Sequence, residues 1–141
     1  MDSYLLLKFL HVLGVALFIG GTFSSFLVHR HLEETTPPQP LRQVIRQIDV
    51  FGVTLGGWLL FLAGMTAALI AGVGIYHSMW VMVGFGIFLA QAGLAHAAVR
   101  INRRFLTGDL EDWGKEIRAR IYLLINLALS IVVVFLMVAK I

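Results

Sequence analysis

Five histidines, His11, His29, His31, His77 and His96, are the side chains of this 141-residue chain best suited to chemistry. Cysteine is absent, which removes disulfides, thiolate metal sites, iron–sulfur clusters and cysteine nucleophiles. Metal chemistry therefore falls to histidine, methionine or carboxylate. Neutral imidazole is the commonest protein ligand of haem iron, and helical bundles hold haem between facing helices. Within a membrane an ionisable residue is costly and marks a functional position by default.

Helical phase sorts the five. His11 and His29 stand 18 residues apart, five turns at about 100° per residue, so both project from one face about 27 Å apart. Gly14, Gly21 and Ser25 lie near the same stripe, where small residues let a neighbouring backbone or a flat macrocycle come close. In the third apolar run His77, Gly84, Gln91 and Ala95 share a face, and His96 lies about 100° away. His29 and His96 both approach an arginine at the same boundary, one and four residues before it, and could ligate one haem there. His11 and His77 occupy the opposite half. Aligning Tyr4 with Trp80 separates them by about ten residues, or 15 Å, too far for one iron.

Simpler roles weigh against these. His31 reads as a loop residue, and His77 and His29 as interfacial residues bonded to backbone. Met65, Met79, Met82 and Met137 are spread over three spans and read as packing. Asn126 and Ser130, four apart, read as an interhelical hydrogen bond. His11 and His96 have no such account.

The elements that must position these residues follow from composition. The chain is 59% hydrophobic and 13% charged, against about 25% charged in a soluble domain. From Val50 to Val99 there is no Asp, Glu, Lys or Arg. Such a stretch has no water-facing surface, so the chain is read as an all-α, polytopic membrane four-helix bundle. One domain, residues 1–141, holds spans at about 4–28, 51–71, 78–98 and 121–139. Pro37, Pro38 and Pro40 interrupt the connection between spans one and two, and Gly72 and Gly74 suit a tight hairpin between spans two and three.

The two long connections carry nine Lys and Arg residues, and the opposite side has only Lys8 and Lys140. The positive-inside rule then places both connections in the cytoplasm and both termini outside, as expected in a bacterial inner (cytoplasmic) membrane. The start MDSYLLLK lacks the basic region of a secretory signal, so span one is expected to be retained. Acidic residues interleave with the basic ones, and topology accounts for the basic connections without nucleic acid or anionic lipid. No Gly-rich phosphate loop, Ser-His-Asp order or paired carboxylate lies within the spans, which argues against hydrolysis and phosphoryl transfer.

The stretch YLLLKFLHVLGVALFIGG resembles the start of the small four-span membrane proteins grouped around HemJ-type protoporphyrinogen oxidase and the CopD-type copper-resistance domain. The shared features are Lys8, His11 and Gly20-Gly21 in span one, Trp80 and His96 in span three, and a last span bounded by Arg120 and Lys140. The resemblance covers most of the chain, through short motifs. The HemJ side implies a four-helix bundle binding b-type haem through membrane histidines. Departures fall on the porphyrinogen-oxidising side: Phe18 stands where a tryptophan is expected, span one lacks arginine, span three lacks lysine, and the Asn-Glu-Pro start of the last span is absent. A CopD-like copper path needs layered His and Met, and methionine here is sparse.

The reading is a membrane protein that binds haem b and acts as an electron-transfer or oxidoreductase subunit, with His11, His96, His29 and His77 as candidate cofactor ligands. His11 and His96 are the candidates for the iron. A homo-oligomer or a membrane redox partner goes with it. The alternative is a non-redox subunit, or a copper- or metal-handling protein, whose histidines are structural.

Overall fold

The computed structural model describes residues 3–31, 38–72, 79–106 and 113–139. These residues form α1 (Ser3–His31), α2 (Gln39–Gln47), a π-helical segment (Ile48–Leu55), α3 (Gly56–Ile70), α4 (Met79–Leu106) and α5 (Trp113–Ala139). Four stretches are long and apolar enough to cross a membrane: Ser3–Arg30, Gln39–Ile70, Val81–Arg104 and Ile117–Leu136. Large apolar side chains such as Phe9, Leu62, Leu69 and Ile131 are exposed along them, a surface that only lipid satisfies. This is an all-α, four-helix integral membrane protein.

Each helix runs beyond the apolar window that announces it. The largest difference is in the second span, which does not start near Phe51 but twelve residues earlier, at Gln39. Pro38 is extended at the N-cap (φ −60°, ψ 152°) and Pro40 falls in the first turn, where a missing N–H costs nothing and a fixed φ suits the helix. The Arg42 amide bonds the Pro38 carbonyl at 3.1 Å. The chain then widens into π geometry over Ile48–Leu55, where the Thr54 hydroxyl donates to the Asp49 carbonyl five residues back at 2.9 Å. At the far end α3 stops at Ile70, and Gly72, two residues on, has a φ of +66°, a left-handed conformation that glycine adopts without strain.

Two close helix pairs build the bundle, α1 against the second span and α4 against α5, and α1 also packs on α5. The first pair is set by glycine. Gly14 lies directly on the Leu60 backbone, and Gly21 and Gly52 face each other so closely that a Cβ on either would sit 2.6 Å from the other's Cα. Small residues permit this backbone contact, which substitutes for a hydrophobic driving force that lipid cannot supply. On α1 the buried stripe is Phe18, Thr22, Ser25 and His29; on α4, Gln91, Ala95, Ala98 and Asn102; on α5, Ala119, Leu123, Asn126 and Ser130. All follow the i, i+3, i+4 spacing of one helix face.

The remaining side of the bundle is different. Helices α3 and α4 stay apart, and aromatic rings bridge the gap. Phe61 of α3 stacks on Phe88 of α4 with centroids 5.4 Å apart and planes 9° apart, and lies 6.1 Å from Phe85.

Candidate functional site

His11 sits one third of the way along α1, half-buried against α3. Its Nδ1 lies 2.8 Å from the Leu60 carbonyl oxygen. A carbonyl only accepts, so Nδ1 carries the proton and Nε2 of the neutral ring keeps its lone pair. The sequence makes room for this contact at Gly64, one turn beyond Leu60. A Cβ there would stand 2.6 Å from His11 Nδ1 and 2.8 Å from Cε1. Only glycine lets the imidazole lie against the helix and reach its carbonyl.

His11 lines a cavity of about 330 Å³ in the half of the bundle that holds the start of α1. Its walls are mostly apolar, with Phe18, Phe61, Phe85 and Phe88 among them. Gly84, also in the wall, has nothing within 4 Å of where its Cβ would be. The polar groups on the wall include Lys8, one turn above His11, together with Gln91 and Ser130. Gln91 Nε2 donates to Ser130 Oγ at 2.7 Å and to the Asn126 carbonyl at 3.1 Å, tying α4 to α5. An apolar pocket with a few convergent polar groups is the usual form of a small-molecule site.

At the opposite end, α1, the π-helical segment and α4 converge on a second buried polar cluster. Ser25 Oγ donates to Asp49 Oδ1 at 3.2 Å, and Asn102 Nδ2 donates to Asp49 Oδ2 at 3.2 Å. His29 is fully buried one turn from Ser25, and neither ring nitrogen has a hydrogen-bond partner. Arg120 of α5 acts on His29, and Arg103 of α4 on Asp49, through their charge.

The candidate histidines therefore occupy separate places. Asn102 Nδ2 approaches Ser25 Oγ at 3.5 Å, a separation of 77 in sequence that fixes the register of the parallel helices α1 and α4. On that register His11 is level with Phe88, and His96 lies roughly 12 Å further along the axis. His29 lies about 15 Å beyond His96 by the same rise. A single iron bridging His29 and His96 does not fit this geometry, and neither does one bridging His11 and His96. His96 is exposed, on a groove between α3 and α4 that the His11 cavity adjoins. His77 lies outside the described residues, as does the His31 side chain. Among the described residues no three His, Asp or Glu side chains gather as a metal-ligand set.

Sequence reasoning missed Asp49 and Asn102. Asp49 falls in what hydropathy reads as a connection, and Asn102 lies among the arginines that follow span three. Its signal was present: Ala95, Ala98 and Asn102 repeat at helical spacing on the face carrying Gln91. The chain matches no family model, no curated protein and no solved structure.

Proposed function

We propose that the protein binds haem b in the cavity beside His11 and serves as an electron-transfer or oxidoreductase subunit of a bacterial inner membrane. The observation that carries this reading is the His11 Nδ1 bond to the Leu60 carbonyl. A ligating histidine characteristically donates its second ring nitrogen to a carbonyl or carboxylate, which fixes the tautomer and raises the basicity of the ligating atom. A porphyrin brings four nitrogens of its own, so one imidazole suffices to hold it. Bound haem supplies one-electron redox chemistry.

The chain's own groups have distinct roles on this reading. His11 Nε2 would hold the iron, and Gly64 leaves the imidazole the room to keep its bond to Leu60. Gly84 leaves open space for a flat ring system, flanked by Phe61, Phe85 and Phe88. Lys8, also on the cavity wall, would offer a cation to an acidic propionate. A porphyrin is larger than the enclosed volume of about 330 Å³, and the part not enclosed would have to be admitted by the adjoining gap between α3 and α4. His96 and His29 stand too far along the bundle axis from His11 to share this iron, by the register of α1 against α4.

A non-redox subunit with structural histidines is the competing reading, favoured by one observation: the same bond pins α1 to α3. An absorption spectrum of the detergent-purified protein, made in cells supplied with a haem precursor, decides between them. The expected result is a Soret band with reducible α and β bands, lost in His11→Ala and kept in His96→Ala. Absence of the band in the wild type, or its retention in His11→Ala at wild-type stoichiometry, refutes the haem reading.

A further inference from the structure

The groove between α3 and α4 is unlike the rest of the lipid-facing surface. It encloses about 790 Å³, more than the His11 cavity, and is lined along its length by Trp58, Phe61 and Leu89. At its end near the basic connections it is lined by His96, Arg100 and Arg103. His96 and Arg100 lie one turn apart on α4 and are both exposed. Among the described residues no acidic side chain lines it. Asp49 accepts from Ser25 and Asn102 within the bundle and acts on Arg103, so among the described residues Arg100 is the groove cation that no carboxylate engages. Because α3 and α4 do not close on each other, the groove opens sideways to the bilayer.

We infer that this groove is a binding site for one anionic phospholipid, its phosphate held by Arg100 and His96 and an acyl chain lying along Trp58 and Leu89. Charge complementarity and shape agree. A largely apolar slot ends, towards the Arg104 end of the third span, at the Arg100 guanidinium and the His96 imidazole, with no described carboxylate lining it. Basic pockets between spanning helices are the usual form of headgroup sites. The headgroup contacts do not rest on haem, since neither Arg100 nor His96 lines the His11 cavity.

Native mass spectrometry of the full chain with equimolar dioleoylphosphatidylglycerol and dioleoylphosphatidylcholine tests it. The expected result is one retained phosphatidylglycerol per chain, preferred over phosphatidylcholine by about five-fold or more, the factor matching about 1 kcal/mol per basic residue near a headgroup. Arg100→Gln should reduce the preference about five-fold. Arg118→Gln, an exposed arginine outside the groove, should leave it unchanged. Leu89→Trp, which fills the slot without altering charge, should lower retention of the lipid and keeps the test decisive if Arg100→Gln fails to fold. Equal retention of the two lipids, an equal loss with Arg118→Gln, or a dimer in place of the lipid adduct would each overturn the inference.

Discussion

Gly64→Ala is the substitution whose outcome follows most directly from the position of His11. The new methyl would lie 2.6 Å from Nδ1, and an ordinary contact begins at 3.4 Å. Helix α3 is held by its own backbone, so the imidazole must give way by about 0.8 Å or swing off its rotamer. Overpacking of this kind costs about 1–3 kcal/mol, and weakening the Nδ1 bond to Leu60 adds about 1 kcal/mol. Alanine's advantage over glycine in a helix offsets roughly 1 kcal/mol. The net loss in the wild-type background is therefore about 1–3 kcal/mol. In a His11→Ala background no ring is present to collide with, and the same substitution should be neutral or stabilising by up to roughly 1 kcal/mol. Reversible denaturation in mixed micelles, run on the wild type, both single variants and the double variant, measures the coupling, expected at about 1–4 kcal/mol. If haem is bound, Gly64→Ala should also weaken it about 10- to 100-fold, as loss of a supporting contact to a ligating histidine does. An identical effect of Gly64→Ala with and without His11 would refute the placement of the ring and everything argued from it.

Gly52→Ala should destabilise by about 1–3 kcal/mol in the same assay, because its Cβ meets the Gly21 backbone, which cannot yield. Gly20→Ala, with nothing within 4 Å, should be neutral, and equal losses at the two positions would contradict the packing of α1 on the second span. Asn102→Leu takes a donor from the buried Asp49 carboxylate and should cost about 1–3 kcal/mol; wild-type stability in that variant would mean that the cluster is not formed. The excess of Lys and Arg on the two connections predicts that a reporter fused after Ile141 is active only if it functions outside the cytoplasm. Activity of a cytoplasm-only reporter there would invert the orientation.

The four spans and their helical state are legible because hydropathy is summed over twenty residues and tolerates local error. The buried stripe of α1 is legible as well, since Gly14, Gly21, Ser25 and His29 share a phase and all are buried. What escapes is whatever a partner decides. Gln39–Gln47 is polar by composition, and its helix is recognisable only once Pro38 and Pro40 are seen as starting residues rather than breakers. The π-helical segment turns Asp49 inward, and no pattern of residue types announces such a widening. The axial offset between His11 and His96 depends on the register of α4 against α1. That register is set by contacts such as Asn102 with Ser25, 77 residues apart, which a reading of each helix separately cannot supply.

The stacked rings of Phe61 and Phe88 form a common wall, since both side chains line the His11 cavity and the groove. Whatever reaches His11 by that wall arrives from the bilayer, by two-dimensional diffusion among lipids, and displaces no column of water. Occupancy would then follow the ligand's mole fraction in the membrane and not its aqueous concentration. A dissociation constant measured in detergent would rise in proportion to the micellar volume in which the ligand is diluted. Affinities for this protein become comparable between preparations only when expressed per lipid.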